Sequence, residues 1–412
     1  MGKRVDWKIR LHSGGQNEVF DCKSTFRIVP AGRRWGKSTL AGYIAIDFAK
    51  SNPGLPIWWV APTYEVTEVG RRKIFRLAPK ELLKPENKQR RILPFITDAY
   101  IQFKSSDNPD SLLGEAVGLL IIDEAGKIRD EVFYQYLEPI LIDHQAPMIA
   151  IGTPRGKNWF YDFWLKGQDP LQPDYKSFSF PTIDNPTLNR PFLEKIFANT
   201  PEHIRQQEYE ASFLEDTSLV FRGISDCAVG QLEEPKPGHR YKIGIDVAKY
   251  HDFWVSIVID RMPNPYKVVG FERSNKLDWN FQKARTIVQA QKWNNAEILI
   301  DSTGVGDPIF EDLSRAGLSI KPYQFTSPSK KLLIENLALM IEQRQIIFPP
   351  IPELINELKS FEYELTRWSN IRYGAPSGKF DDCVISLGLA CWGLISQPAL
   401  ISTENFLTGI QR

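Results

Sequence analysis

The feature that most constrains the fold is an apolar stretch that runs into a glycine-rich turn and then opens a helix, RIVPAGRRWGKSTL at 27–40. This order of strand, loop and helix is typical of a phosphate-binding loop, whose main-chain N–H groups face nucleotide phosphates. Ala31 stands at the usual first glycine position, with Gly32 beside it. We therefore expect a parallel α/β sheet with a nucleotide at one edge. The expected nucleotide-binding residues of the loop are Gly32, Arg33, Arg34, Gly36, Lys37, Ser38 and Thr39.

Two further apolar runs end in polar residues that suit the same site. Asp123 and Glu124 follow such a run in GLLIIDEAG, and open parallel sheets bind ligands at the edge where these runs end. We expect Ser38 and Asp123 to hold Mg²⁺ and Glu124 to activate the attacking water. Thr153 follows the run MIAIG and is placed to sense the γ-phosphate. The alternatives are an acid pair that only caps a strand and a threonine in a plain turn.

Short apolar runs alternate with longer amphipathic stretches along the chain, as in α/β proteins. In the first half we expect strands near 25–31, 56–61, 117–123 and 147–152, and helices near 37–50, 66–78 and 130–140. A segment rich in proline, glycine and charge at 226–241 predicts a linker, and we place a domain boundary near 235. Beyond it we expect three consecutive antiparallel strands, then strands at 297–301 and near 318–323, and helices near 279–292, 307–315, 329–344, 351–366 and 381–395.

Acids recur at strand ends and at a helix start in the second half. Asp246 ends KIGID, Asp301 ends EILID, and Asp381 and Asp382 open the last predicted helix. An RNase H-like fold gathers carboxylates at these places, and two divalent ions about 4 Å apart can then activate water and stabilise the leaving oxygen of a phosphodiester. Adjacent helix residues point about 100° apart, so we expect one of the last two acids to be the full ligand and favour Asp381. For each acid alone, a strand end or helix cap is the alternative.

Four further residues of the second half each have two interpretations. Asp252 is a candidate acid outside the ligand set or a turn residue, and His251 is a candidate ligand that we instead expect to be an exposed turn histidine. Lys330 and Lys331 either face DNA or, by default, belong to a solvated helix start.

Composition excludes several classes of protein. With 412 residues, 42% of them hydrophobic and 25% charged, the chain is too long for one ordinary domain and too apolar for a disordered protein. Its four scattered cysteines form no CxxC pair, which argues against a disulfide framework and a cysteine zinc site. We find neither an apolar run of membrane-spanning length nor a signal peptide, and expect a reducing cytosol. A net charge of +1 excludes a uniformly basic coat, but the basic stretch 71–91 predicts either a phosphate-contacting surface or a solvated helix and loop.

Between about residues 25 and 395 the chain contains, in this order, GRRWGKST, VAPTY, LLIIDEA, IGTPRG, QQEYEASF, GIDVAKYHD, LIDSTGVGD and KFDD. In this ordered set the chain resembles the large terminase subunits of tailed bacteriophages and prophages. The resemblance implies an α/β protein with an N-terminal P-loop ATPase domain of the ASCE type, built on a mostly parallel sheet, and a C-terminal RNase H-like nuclease domain with a mixed sheet. It implies ATP-driven movement of double-stranded DNA into a procapsid, and cutting of concatemeric DNA at initiation and termination.

The resemblance also implies an organisation and partners. We expect an ATPase core at 1–165, a subdomain or linker region at 166–235, the nuclease at 236–397 and a tail at 398–412. The implied cofactors are ATP and Mg²⁺, with Mn²⁺ as an alternative at the nuclease site. The implied partners are double-stranded DNA, a portal protein, a small terminase subunit and further copies of the chain in a pentameric ring on the procapsid. The implied location is the host cytoplasm, away from membranes and not in the mature virion.

Carried over position by position, the resemblance gives Lys37 and Ser38 to phosphates and Mg²⁺, and Asp123 and Glu124 the roles of Walker B acid and catalytic glutamate. It gives Arg33 a part in sensing the nucleotide and 152–154 the coupling of hydrolysis to movement. The nuclease acids of the family match Asp246, Asp301, Asp381 and Asp382.

The chain departs from the family pattern at two positions. Many relatives have an arginine, acting on a neighbouring subunit, where this chain has Leu113 before Gly114, which leaves Arg129 and Arg155 as candidates. Phe380 stands where a histidine often precedes the acidic pair. Two rival functions remain at this stage, a P-loop helicase or repair ATPase fused to a nuclease, and an inactive prophage component that only binds DNA or assists assembly.

Overall fold

A computed structural model of the chain describes residues 7, 9–113, 116–214, 218–247, 253–275, 278–303, 307–365, 371–376 and 378–395. Gly114, His251 and Asp252 lie outside these residues. The described residues divide into two compact units. The first takes those of Met1–Leu193, His203–Asp216 and Leu365–Asn370, and the second those of Glu194–Glu202, Thr217–Glu364 and Ile371–Arg412. Within the described ranges, no helix combines the length and the apolar character needed to cross a membrane.

A sheet of seven strands, counted over the described residues, forms the centre of the first unit. The strands are β1 (Phe26–Pro30), β2 (Pro56–Ala61), β3 (Ile92–Pro94), β4 (Tyr100–Ser105), β5 (Leu119–Asp123), β6 (Met148–Gly152) and β7 (Tyr175–Ser177). Their order across the sheet is β3-β4-β2-β5-β6-β1-β7, and every pair is parallel except β3 with β4. The four apolar runs predicted as strands are confirmed, and Trp58 and Trp59 are fully buried in β2.

Helices lie between the strands of this sheet along the chain, because parallel strands need crossover connections. The helices of the first half of the chain are α1 (Gln16–Asp21), α2 (Lys37–Ser51), α3 (Tyr64–Leu77), α4 (Asp130–Val132), α5 (Trp159–Lys166), α6 (Arg190–Ala198) and α7 (Glu202–Glu208). The single helix predicted near 130–140 is wrong in detail. Instead, α4 runs into a wider turn at Phe133–Leu137 and a 3₁₀ turn at Pro139–Leu141. Pro139 lacks the N–H that a continued helix would use at that point.

The second unit has a mixed sheet of six strands and a small sheet of three strands among its described residues. The strands are β8 (Ser218–Leu219), β9 (Tyr241–Asp246), β10 (Phe253–Asp260), β11 (Tyr266–Asn275), β12 (Glu297–Asp301), β13 (Ile320–Tyr323), β14 (Ile346–Ile347), β15 (Glu362–Leu365) and β16 (Ile371–Gly374). The large sheet has the order β13-β12-β9-β10-β11-β14, and the small one β16-β15-β8. The predicted antiparallel meander is confirmed as β9-β10-β11, and β12 runs parallel to β9.

The helices of the second half are α8 (Ile224–Cys227), α9 (Trp279–Lys292), α10 (Asp307–Arg315), α11 (Ser327–Glu342), α12 (Pro352–Ser360) and α13 (Asp382–Cys391). The helix predicted near 351–366 ends early at Ser360, and β15 follows it. Phe361 and Tyr363 are buried and alternate with Glu362, which is the two-residue repeat of a strand. Helix α13 packs so closely on β9 that a Cβ on Gly244 would lie 2.0 Å from the Ser386 carbonyl oxygen.

Candidate functional site

The loop between β1 and α2 forms the centre of the first site. Arg34 and Gly36 both have positive φ, 66° and 113°, so the chain turns sharply before the helix. Gly36 is the N-cap of α2 and has no side chain to accept hydrogen bonds from the first amides of the helix. Thr39 lies in that first turn, where its amide is bonded to the Gly36 carbonyl over 3.1 Å. The loop therefore directs a helix N-terminus at whatever anion enters it.

Segments distant in sequence hold this loop in place. The Thr182 hydroxyl donates to the Arg33 carbonyl and the Asn185 side-chain amide to the Arg34 carbonyl, each over 2.7 Å. A Cβ on Gly32 would lie 2.4 Å from both the Thr182 hydroxyl and the Tyr209 carbonyl oxygen. Gly32 is thus required by close packing of the main chain.

Lys37 is buried at the start of α2 and points back into the loop. Its Nζ donates to the carbonyl oxygens of Ala31 over 2.6 Å and Gly32 over 3.1 Å, and lies 3.5 Å from Thr153 Oγ1. Burial lowers the pKa of this ammonium, an effect that the nearby Glu124 and Asp123 carboxylates oppose. The structure thus brings together the predicted lysine, which follows β1, and the predicted threonine, which follows the neighbouring strand β6.

Ser38, Asp123 and Glu124 form the acidic side of the site. The Ser38 hydroxyl donates to Asp123 Oδ2 over 3.3 Å, and the Glu124 amide donates to Asp123 Oδ1 over 3.0 Å. Burial, and then the charge of Glu124, raise the pKa of Asp123 to about 7. For Glu124 burial acts in the same direction, but the ammonium groups of Lys127 and Lys37 outweigh it and lower its pKa. Glu124 is therefore the more acidic carboxylate of the pair.

Glu208, at the end of α7, is a site residue to which the sequence assigned no role. Its carboxylate accepts hydrogen bonds from Arg33 Nε and from an Arg155 terminal nitrogen, each over 2.5 Å. Burial alone would raise the pKa of Glu208, but the two guanidinium groups outweigh it and lower the pKa to about 2. Arg155 is buried in this pair, whereas Arg129 is a third exposed and lies 3.9 Å from Glu131. The motif QQEYEASF contained Glu208, but its partners are 175 and 53 positions away.

The residues around the loop between β1 and α2 fit a nucleoside triphosphate with Mg²⁺. A helix N-terminus, a lysine and an arginine surround the space where phosphates would lie. Ser38 and Asp123 supply the hydroxyl and carboxylate oxygens that Mg²⁺ prefers.

The acids of the second unit come from three elements that meet at one end of the mixed sheet. Asp246 ends β9, Asp301 ends β12, Asp381 is the N-cap of α13 and Asp382 is its first residue. All four line one cavity of about 280 Å³. The predicted acids are thus brought together by the fold.

Electrostatics in this cavity reflect the crowding of like charges. Burial, followed by the charges of Asp382, Asp301 and Asp381, raises the pKa of Asp246 well above its ordinary value. Lys330 lines the same cavity, and its Nζ donates to Asp381 Oδ2 over 2.9 Å. Lys330 thus lies at a partly exposed helix start, as expected by default, and also contacts a nuclease acid.

The donor set fits divalent cations, although the carboxylates are not gathered at one point. Over the residues that the structure describes, no group of three or more His, Cys, Asp or Glu side chains forms a ready-made metal site. Four carboxylates around one small cavity nevertheless offer the oxygen ligands of Mg²⁺ or Mn²⁺. The Lys330 ammonium already occupies the position of a cation beside Asp381.

A buried pair behind the acids fixes the start of α13. Glu357 Oε2 accepts a hydrogen bond from the Cys383 amide over 2.7 Å, and Glu357 Oε1 lies 3.3 Å from Arg273. Arg273 stacks on Phe253 at 3.6 Å, and Phe253 meets Phe380 edge-on at 5.1 Å. Phe380, found where relatives often have a histidine, thus packs against aromatic and cationic neighbours.

Comparisons with known proteins agree with both sites. The family model for the N-terminal part of T4-like terminase large subunits matches residues 28–225, and the model for the terminase RNase H-like domain matches 243–391. The large terminase subunit of Thermus virus P23-45 is 31% identical to this chain, and the match covers 88% of this chain and 84% of the relative. The large terminase subunit of Thermus phage G20c is 30% identical over the same shares.

A solved structure supports the fold over almost the whole chain. The large terminase of the thermophilic bacteriophage D6E superposes with a TM-score of 0.57 over 92% of this chain and 98% of that protein, at 12% identity. Since the matches to the family models and to the Thermus relatives extend over both units, this chain belongs to the terminase large subunits, the ATPase–nuclease motors that package phage DNA.

Proposed function

We propose that the first unit hydrolyses ATP in the loop around Lys37 and that the second cuts DNA with divalent cations held by the four acids. The observation that carries the proposal is the convergence of side chains from separate elements. Lys37 lies within hydrogen-bonding range of Thr153, and Ser38 within that of Asp123. The four acids of the second unit, Asp246, Asp301, Asp381 and Asp382, line one cavity.

In the ATPase site the chain's own residues bind, orient and accept a proton. Lys37 exchanges its carbonyl partners for phosphate oxygens, and Ser38 with Asp123 holds Mg²⁺, which neutralises phosphate charge when bound. Glu124, ionised because its pKa is lowered, orients the attacking water and accepts its proton. Thr153, next to Lys37, senses the terminal phosphate.

We do not propose Arg155 as the arginine that acts on a neighbouring subunit, because its side chain is buried against Glu208. Arg129, a third exposed, remains the candidate for that role.

In the nuclease site the four carboxylates hold divalent cations, which activate water and stabilise the leaving oxygen when bound. Asp382 has the largest effect of the other acids on the pKa of Asp246, and Asp381 is the one that Lys330 contacts.

A groove beside the acids suits a DNA backbone. This groove, of about 770 Å³, adjoins the acid cavity through Lys330 and Asp381, which line both. Lys331, Arg372 and Lys379 also line it, against Glu362 and Asp381. We propose that it receives the phosphates of double-stranded DNA, largely independently of sequence, with binding that weakens as salt rises.

The domain limits and partners are proposed on the family resemblance. The boundary near 235 is supported by the two family models, which end at 225 and begin at 243. We propose an ATPase core at 1–165, a subdomain at 166–235, a nuclease at 236–397 and a tail at 398–412. The proposed partners are a portal protein, a small terminase subunit and further copies of the chain in a pentameric ring. We propose that the motor works in the host cytoplasm and leaves before the virion matures.

The test is plasmid cleavage by the full-length protein with Mg²⁺ or Mn²⁺, comparing wild type with Asp301→Asn and Asp312→Asn. Asp312 is a partly exposed acid that pairs with Lys283, so its variant serves as the matched control. We expect metal-dependent cleavage in wild type and Asp312→Asn, and a loss of at least about a hundredfold in Asp301→Asn. Folded wild-type protein that cuts with neither metal would refute the nuclease assignment and favour an inactive component.

A further inference from the structure

Lys330 stands apart from the other basic residues of the second unit because it lies among the nuclease acids. It lies on α11, two turns before the apolar centre of that helix, and its ammonium donates to Asp381 over 2.9 Å. Both side chains are 31% exposed, so the contact is partly shielded from water. Lys331 instead lies 3.7 Å from Glu335, one turn along the same helix, and lines only the neighbouring groove.

The charges around Lys330 explain why a cation is needed there. Asp246, Asp301, Asp381 and Asp382 surround a cavity of about 280 Å³, and Lys330 and Lys379 are its basic lining residues. Carboxylates this crowded repel one another unless a positive charge lies between them.

We propose that Lys330 is the resident counter-ion of the nuclease acids, which holds Asp381 while metal is absent and must leave it when a divalent cation binds. This inference rests on the proposed nuclease function. The ammonium and the metal compete for the same carboxylate, so the protein binds metal more weakly than the four acids alone would. The released ammonium still borders the groove proposed for DNA, where a phosphate replaces Asp381 as its partner.

The test measures metal binding and not cleavage. Mn²⁺ is titrated calorimetrically into the nucleotide-free full-length protein, for wild type, Lys330→Gln, Lys330→Arg, Lys331→Gln and Asp301→Asn. We expect Lys330→Gln to bind Mn²⁺ about threefold to tenfold more tightly than wild type, because an ion pair and a repelling charge are both removed. Lys330→Arg, which keeps the charge, and Lys331→Gln, which removes a charge outside the acid cavity, should stay within about twofold of wild type.

The variants separate failure of this inference from failure of the nuclease assignment. If wild type and Asp301→Asn bind Mn²⁺ equally tightly, the nuclease assignment fails and this inference fails with it. If binding depends on Asp301 but Lys330→Gln binds Mn²⁺ equally or more weakly, only the role of Lys330 is overturned. Equal tightening in Lys331→Gln would likewise overturn it, since a general change in charge would then explain the effect. If Lys330→Gln does not fold, Lys330→Met, which keeps the apolar stem, is titrated in its place.

Discussion

Replacing Glu208 with glutamine should lower the free energy of unfolding of the first unit by about 3 kcal/mol at pH 7. The carboxylate of Glu208 is 10% exposed and lies 2.5 Å from Arg155 and from Arg33. The Arg155 contact carries most of the effect, because that guanidinium is 9% exposed while Arg33 is 46% exposed and screened by water. Glutamine keeps the volume but leaves the Arg155 charge buried without a counter-charge.

The pKa of Glu208 supplies an independent magnitude. The fall from an ordinary 4.5 to about 2 corresponds to about 3 kcal/mol, since one pKa unit is worth about 1.4 kcal/mol. A lowered folded-state pKa means that this stability is complete above about 4.5 and is lost as the pH falls toward 2. Less than about half of it should therefore remain at pH 3.

The assay is differential scanning calorimetry of the full chain, because two units need not unfold in one transition. The transition of the first unit is recognised by its upward shift with Mg²⁺ and ADP. For a unit of this size, Glu208→Gln should lower its midpoint by about 9 °C. The control is Glu210→Gln, since Glu210 is 40% exposed in its pair with Arg205 and should change the stability by less than about 0.5 kcal/mol.

Two results would refute the reasoning about Glu208. Equal destabilisation by Glu208→Gln and Glu210→Gln would mean that burial of the pair does not matter. A difference in the free energy of unfolding between wild type and Glu208→Gln that stays constant from pH 7 to pH 3 would mean that the carboxylate is not the source of the stability.

Two further predictions address single contacts. Lys37→Ala should reduce phosphate release from ATP by about a hundredfold or more while leaving plasmid cleavage intact, because Lys37 is the buried cation of the loop; equal loss of both activities would point to misfolding instead. Gly244→Ala should lower the free energy of unfolding of the second unit by about 3 kcal/mol or more, and with it the unfolding midpoint of that unit, because its Cβ would lie 2.0 Å from the Ser386 carbonyl oxygen. The control Gly374→Ala, with open space around the added carbon, should leave that midpoint nearly unchanged, and a similar fall in both variants would contradict the close packing of α13 on β9.

Much of both sites could be predicted from local pattern. Asp123 and Asp301 each follow a run of apolar residues, and such a run forms a strand whose end lies at the sheet edge. The loop before Lys37 can be predicted because a strand, glycines and a helix start follow one another in the chain. The helix expected near 351–366 failed because tertiary burial of Phe361 and Tyr363 imposed a strand repeat on a short segment.

Local pattern missed the role of Glu208 and the contact of Lys330 with a nuclease acid, and the reason is physical. Each acts through a partner far along the chain, at 175 positions for Glu208 with Arg33 and 51 for Lys330 with Asp381. A charged residue on an amphipathic helix is usually solvated, so only the packing of distant segments reveals its partner.

Glu208 and Lys330 have a similar effect, because each pairs with charges that would be costly to leave unpaired. A site shaped for phosphate concentrates positive groups, and a site shaped for metal concentrates negative ones, so each is unfavourable before its ligand arrives. Glu208 places a carboxylate on two arginines at the phosphate loop, and Lys330 places an ammonium on Asp381 among the nuclease acids. Because each of these groups carries the charge of the expected ligand, each stabilises the empty site and opposes binding in it. The two substitutions should therefore differ in kind. Glu208→Gln chiefly lowers stability, since Arg155 stays buried, whereas Lys330→Gln chiefly tightens metal binding, since Asp381 is 31% exposed and can be hydrated when its partner is removed.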